Sequence, residues 1–312
     1  MCAALAAAVV CRAAGAGQAA PTRAGDRFKS VRLLADMPAT LMIPTMAFIA
    51  NSLGVTCAHC HTDVYESDEK PMKQKARDMI VLTRAINDRH FGGRTVVTCE
   101  TCHNGRAIPS AIPAIEHAGW NQPPPVAPAA PPPELAVVIQ RFNTAVGVDA
   151  LRRLGSQRLT GTVTRRNGRT PPVTEPFELY QEQPRTFRLT TRLSHPPEAD
   201  AELPLTFLRP LLLTDTYAGL RVTGHATVDG AGAVEVTGTR AGATHRLYFS
   251  DETGLLVRRA DEIDTPLGQV PEHYTFADFR AVDGVAVPRR IVWSRADYQV
   301  TFVVDDVHHT AR

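Results

Sequence analysis

Two copies of one five-residue pattern carry the side chains in this sequence that are best suited to chemistry. The pattern is C-x-x-C-H, at residues 57–61 and again at residues 99–103. Two thiols three positions apart can each form a thioether with one vinyl group of the same porphyrin, and the histidine that follows can bind its iron. The sequence therefore predicts two covalently attached haem c groups. The residues involved are Cys57, Cys60, His61, Cys99, Cys102 and His103.

Cysteine pairs of this kind also occur in redox dithiols and in four-cysteine zinc sites, so zinc is the alternative to haem. The gap from Cys60 to Cys99 is longer than the spacing in a zinc ribbon. Both pairs are followed directly by histidine, which a site made only of cysteines does not need. These two features favour haem.

The first residues have the composition of an export signal. An apolar Ala/Leu/Val run reaches Cys11, and small residues follow up to Ala20, with Ala16 or Ala19 suited to precede a cleavage point. The apolar run is too short to span a bilayer. We expect residues 1–25 to be a signal-like segment and the protein to be periplasmic or otherwise extracytoplasmic. Lipidation of Cys11 is an alternative that would associate the protein with a membrane.

Composition divides the rest of the chain into two domains and a linker. Residues 26–118 contain both motifs, residues 119–133 are rich in proline and typical of an extended linker, and residues 134–312 are rich in Thr, Val, Arg and Gly. The net charge of +2, with both signs interspersed, gives no indication of a nucleic-acid surface or a polybasic patch. Trp120 and Trp293 are interpreted as packing or linker residues.

A helix is predicted ahead of each motif. The first, Ala39–Leu53, has Pro38 at its start and Gly54 at its end, and the second, Pro71–His90, ends at two glycines. Each helix offers a sixth ligand for a haem iron, since a thioether there gives His/Met ligation. The candidates are Met46, with Met42 as its rival, for the first haem, and Met79, with His90 as its rival, for the second.

These stretches resemble the cytochrome subunit of photosynthetic reaction centres. The similarity lies in residues 43–46, 52–61, 76–80, 86–88 and 97–105, within a matching region of about residues 30–110. In that family a helix carrying methionine precedes each motif and supplies the sixth ligand, which implies Met46 and Met79 here. The family carries four haems in two pairs, whereas this chain has one pair and looks like a shorter, two-haem relative. One haem of the family takes a distant histidine as its sixth ligand, so His90 remains a candidate sixth ligand for the second haem.

The second domain shows short strand patterns separated by turns, which predicts an antiparallel sheet. Helical patterns are expected first, at Glu134–Val146 and Ala150–Leu154, and turns at Asn167-Gly168, Thr253-Gly254 and Asp283-Gly284. The segments around 251–259 and 276–285 resemble bacterial lipoprotein-carrier proteins, whose open, curved sheet carries helices on its concave side. The predicted strands are Leu159–Thr164, Phe177–Tyr180, Thr186–Thr191, Ala233–Thr239, Thr244–Phe249, Leu255–Ala260, His273–Phe279 and Ile291–Ser294.

The predicted fold class is therefore α+β: a small helical dihaem domain, a Pro-rich linker and an open antiparallel sheet domain. With a sixth ligand on each iron, we expect an electron carrier that works with redox partner proteins and has no catalytic residues. The sheet domain would dock a partner or a lipid-like hydrophobic ligand. The alternatives are a dihaem enzyme of the peroxidase type, with one open iron, and a ligand-binding module that senses redox state. His308-His309 is interpreted as a solvated terminal pair and not as a metal site.

Overall fold

The computed structural model describes residues 21–112, 131–167, 170–182, 186–191, 213–240, 242–295 and 298–311. Within these ranges a helical region is followed by a large antiparallel sheet, which confirms the α+β class. The predicted signal-like segment up to residue 20, most of the Pro-rich linker with Trp120, and Gly168 of a predicted turn lie outside the described residues. The domain boundaries stay a prediction.

The helical region contains the two long helices that the sequence predicts. In chain order the helices are α1 (Ala24–Arg27), α2 (Met42–Leu53, preceded by a 3-10 turn at Ala39–Leu41), α3 (Pro71–Phe91) and α4 (Cys99–His103). Helix α2 ends at Gly54 and α3 ends at Gly92, both in the left-handed conformation with φ of 63° and 60°. Glycine adopts this conformation readily, which explains where both helices stop.

The remainder of the described chain forms three helices and ten strands. The helices are α5 (Leu135–Val146), α6 (Val148–Arg152) and α7 (Leu213–Thr216). The strands are β1 (Leu154–Asn167), β2 (Thr170–Glu182), β3 (Thr186–Thr191), β4 (Ala218–Val228), β5 (Ala231–Arg240), β6 (Ala243–Ser250), β7 (Leu256–Thr265), β8 (Gly268–Val282), β9 (Val285–Arg295) and β10 (Tyr298–Ala311). The helix predicted at Ala150–Leu154 lies two residues earlier, at Val148–Arg152, and Leu154 instead begins β1.

The described strands form one sheet in the order β3-β2-β1-β10-β9-β8-β7-β6-β5-β4. Every pair is antiparallel, and β1 lies beside β10, so the first and last described strands are neighbours inside the sheet. The predicted turn at Asp283-Gly284 is confirmed: both residues have positive φ, 50° and 79°, as a tight two-residue hairpin requires.

Two apolar cores belong to the sheet domain. One lies on the face shared by β1, β2, β8, β9 and β10, with Phe276, Ile291 and Phe302 among its buried members. The other is formed where α5 lies across the sheet and packs its Phe142 against Phe249. In the described ranges no helix is both long and apolar enough to cross a bilayer.

A third core joins the helical region to the sheet. Met42 and Phe48 of α2 pack with Leu267 and Val270 of the β7–β8 hairpin. All four side chains are less than one tenth exposed. Helix α2, which precedes the first motif, therefore rests on one hairpin end of the sheet.

Candidate haem-binding sites

Both motif histidines are fixed by the same type of hydrogen bond. His61 Nδ1 lies 3.0 Å from the carbonyl oxygen of Tyr65, and His103 Nδ1 lies 2.8 Å from the carbonyl oxygen of Arg106. A carbonyl only accepts, so each Nδ1 must carry the proton and each Nε2 must carry the lone pair. Metal-binding histidines are oriented in this way, with one ring nitrogen donating to a carbonyl and the other facing the metal. Both histidines are thus prepared to bind iron through Nε2.

The thiols lie directly before these histidines. Cys57 begins a 3-10 turn and Cys99 begins α4, so a short helical turn presents each pair. Burial raises the pKa of the Cys60 thiol, Cys57 raises it further and Lys70 opposes the shift. Burial also raises the pKa of Cys99. In the described residues no group of three or more His, Cys, Asp or Glu side chains is placed to share a metal ion, so the two cysteine pairs do not form one four-thiol cluster.

The start of α3 holds the loop that contains the first motif. Lys70 Nζ donates to the carbonyl oxygen of Ala58, inside the motif. Lys73 Nζ donates to the carbonyl oxygens of Tyr65, at 3.0 Å, and Ser67, at 2.9 Å. The carbonyl of Tyr65 therefore accepts from both the proximal histidine and a lysine. Sequence reasoning missed these lysines, because a lysine at a helix start usually indicates only a solvated charge.

The end of α3 holds the second motif through one buried amide. Asn87 is 7% exposed, and its Oδ1 accepts from the backbone N–H groups of Val96 and Val97 at 3.1 and 2.9 Å. Its Nδ2 donates to the carbonyl oxygen of Val97 at 2.7 Å. Val97 lies two positions before Cys99, so Asn87 sets the course of the chain as it enters the motif. Nothing in the sequence distinguishes this asparagine from an exposed one.

A direct backbone contact brings the two motifs together. The N–H of Gly105, two residues after His103, donates to the carbonyl oxygen of Ser52 at 2.9 Å. A Cβ placed on Gly54 would lie 2.1 Å from the carbonyl oxygen of Gly105. The chain entering the first motif and the chain leaving the second are thus in van der Waals contact, which only glycine at position 54 permits.

The four candidate sixth ligands lie in different surroundings. Met46 on α2 and Met79 on α3 are both half-buried, whereas His90 in the last turn of α3 is exposed. Met42 is 8% exposed and belongs to the core between α2 and the β7–β8 hairpin. Met46 packs against the same core but is only half-buried, so the choice between the two methionines stays a prediction.

The helical region presents an unusual amount of apolar surface. Nine of the twelve large apolar side chains that are exposed in the described residues lie between positions 43 and 112. Exposed apolar side chains suit a group with large apolar faces, and a porphyrin has two such faces. The residues present therefore fit haem in both donor set and surface. The nine are Ile43, Val64, Tyr65, Met72, Val81, Leu82, Val96, Ile108 and Ile112.

A charge cluster around Asp68 ties the segment before α2 to the loop after the first motif. Asp68 accepts from Arg32 and Arg77, each at 2.7 Å, and lies 3.1 Å from Lys73. The Arg77 guanidinium, followed by Lys73, holds the pKa of the Asp68 carboxyl well below its usual range. Arg77 also donates to the carbonyl oxygen of Ser30. One carboxylate thus joins three separate parts of the helical region.

Comparison with solved structures finds distant likenesses to bacterial proteins. A DUF1329 family protein from Desulfovibrio piger covers 55% of this chain with 12% identity and a TM-score of 0.40, matching over 92% of its own length. The LolA superfamily protein NE2245 from Nitrosomonas europaea covers 58% of this chain with 7% identity and a TM-score of 0.38, matching over 95% of its own length. These likenesses are too distant to support any conclusion about a ligand or a partner.

The region with the two motifs has relatives of another kind. Residues 2–153 match the family model of the photosynthetic reaction centre cytochrome C subunit. The photosynthetic reaction center cytochrome c subunit of Rubrivivax gelatinosus is 32% identical over 94 residues, which are 29% of this chain. The matched part spans about a quarter, 26%, of that relative's length. The resemblance predicted from the motifs is confirmed: the N-terminal region of this chain is similar to reaction-centre cytochrome c subunits, a family that implies covalently bound haem c.

Proposed function

We propose that this protein is an exported dihaem c-type cytochrome that transfers electrons between redox partner proteins. Cys57, Cys60 and His61 would hold the first haem. Cys99, Cys102 and His103 would hold the second. The observation that carries the proposal is the pair of Nδ1-to-carbonyl hydrogen bonds, which prepares both histidines to bind iron through Nε2.

Met46 and Met79 are the proposed sixth ligands, with Met42 and His90 as their alternatives. Both methionines are half-buried on the helix that precedes their motif, which leaves part of each residue at the surface. When bound, haem supplies the one-electron couple of its iron, and His/Met ligation raises the reduction potential of that couple. With both axial positions filled by protein, no position remains for a substrate. The function is therefore electron transfer and not bond chemistry at the haem.

The sheet domain is proposed to dock a redox partner or a lipid-like hydrophobic molecule. An open cleft of about 780 Å³ runs beside α5 and α6, and apolar side chains such as Leu135, Ile139 and Val148 line much of it. This cleft is large enough for a hydrophobic ligand. The location we propose is periplasmic or extracytoplasmic, with peripheral association to a membrane.

The number and spin state of the haems test this function directly. The full chain would be matured in a bacterial periplasm, and its haem content measured by pyridine haemochrome assay and intact mass. We expect two covalent haems and no binding of carbon monoxide, because both irons are six-coordinate. The double variant Cys99→Ser, Cys102→Ser serves as the matched control and should retain one haem.

Two results would contradict the proposal in different ways. Bound zinc with no haem would remove electron transfer altogether. Two haems, one of which is high-spin and binds carbon monoxide, would instead favour a peroxidase-type enzyme.

A further inference from the structure

The β7–β8 hairpin has an apolar tip, which is unusual for a turn. Its last paired residues are Thr265 and Gly268, so Pro266 and Leu267 form a two-residue loop. Such tips normally face water. Leu267 is nevertheless only 5% exposed, and it belongs to the core of the helical region. The tip is buried because α2 lies on it.

The hairpin is built to keep this tip rigid. Thr265 Oγ1 donates to the carbonyl oxygen of Gly268 at 2.6 Å and accepts from the backbone N–H of Leu267 at 3.3 Å. Pro266 fixes its own φ. A rigid tip transmits its position to whatever it touches, and what it touches is α2.

The closest contact joins Phe48 to Gly268. A Cβ on Gly268 would lie 2.6 Å from Cζ and 2.9 Å from Cε2 of the Phe48 ring. Gly268 also has a φ of +146°, which L side chains rarely adopt. Phe48 is 9% exposed, so its ring is enclosed and cannot swing freely away. Helix α2 can therefore lie this close to the hairpin only because residue 268 is glycine.

Phe48 and Met46 lie on different sides of the same helix. Two positions along an α-helix correspond to a rotation of about 200°. Phe48 is buried against the hairpin, while Met46 is half-buried and packs against the same core. Helix α2 thus links the hairpin to the side chain that the proposed function places on the first haem.

We propose that the β7–β8 hairpin is a positioning element for the first haem: by fixing the place of α2 through Phe48 and their shared core, it holds the Met46 thioether at the iron and thereby sets the reduction potential of that haem. The inference rests on the proposed function, since it takes Met46 as the sixth ligand. It gives the sheet domain a role in electron transfer, because a change in the sheet that moves this hairpin changes the potential of the first haem.

The test uses the full-length holoprotein with Gly268→Val, which forces the hairpin away from Phe48. The matched control is Gly230→Val in the β4–β5 turn, where φ is also positive, +87°, and no atom lies within 4 Å of the new Cβ. Each variant would be titrated potentiometrically, and the thioether–iron charge-transfer band at the red edge of the oxidised spectrum would be recorded. Met46→Ala identifies which potential and which part of the band belong to the first haem.

We expect Gly268→Val to weaken the Met46–iron bond, which lowers one potential and leaves the other unchanged. At the wild-type midpoint the ratio of oxidised to reduced first haem should rise about tenfold, which for one electron is a shift of about 59 mV. The first haem's part of the band should decrease, and Gly230→Val should match wild type. If Gly268→Val destabilises the protein too far, Leu267→Ala tests the same contact without overpacking, and adding Phe48→Ala to Gly268→Val should restore part of the shift.

The outcomes separate the two proposals. If Met46→Ala changes the band but neither hairpin variant does, the positioning role is wrong and the ligand assignment stands. If the hairpin variants shift one potential while Met46→Ala has no effect, Met46 is not a ligand and the positioning of its thioether by the hairpin is wrong. If both potentials stay at wild-type values in every variant that folds, the hairpin only stabilises the protein.

Discussion

At the scale of single residues, the side chains that position the motifs matter as much as those that define them. Asn87 makes three hydrogen bonds to the backbone that enters the second motif. Asn87→Ala should cost about 1–3 kcal/mol in the free energy of unfolding, because the Val97 groups lose their partners. It should also shift the potential of the second haem and not that of the first. Urea unfolding with potentiometry measures both effects.

Asp88→Ala is the control for this change, since Asp88 is the next residue of α3 and is exposed. It should leave the unfolding midpoint and both potentials near wild type. Equal effects of the two variants would show that Asn87 has no specific influence on the second motif.

At the scale of elements, the contact between Gly54 and Gly105 holds the two motif-bearing segments together. Gly54→Ala places a Cβ 2.1 Å from a backbone oxygen and also strains a residue with φ of +63°. Gly92→Ala produces nearly the same strain at φ +60°, but nothing lies within 4 Å of its Cβ. The strain alone costs about 1 kcal/mol. We expect Gly54→Ala to lose clearly more stability than Gly92→Ala in urea unfolding, and to change the separation between the two haem potentials. Similar losses in both variants would mean that the glycine contact is dispensable.

The elements themselves could largely be predicted, whereas their contacts could not. Helices α2 and α3 were predictable because apolar periodicity, a proline near the start and a glycine at the end all agree. Strands β4 and β10 were not predicted, although β4 carries the period-two signal: the half-buried Leu220, Val222 and Ala226 alternate with exposed polar residues. The contacts of Lys73, Asn87 and Gly268 depend on residues far away in the chain, and a local pattern carries no signal for them.

At the scale of the whole molecule, the sheet domain has two apolar cores of its own, while the helical region leaves much apolar surface exposed. The helical region should therefore depend on haem for its stability, as small metal-binding domains depend on their metal. In a variant with serine at all four motif cysteines, hydrogen exchange should show that α3 loses protection while the sheet keeps it. Helix α2 should lose less than α3, because it still packs on Leu267 and Val270. Mass spectrometry of peptides from the three regions, compared with the holoprotein, measures this order. Unchanged protection in α3 would mean that the helical region folds without haem, and that its exposed apolar side chains serve another surface.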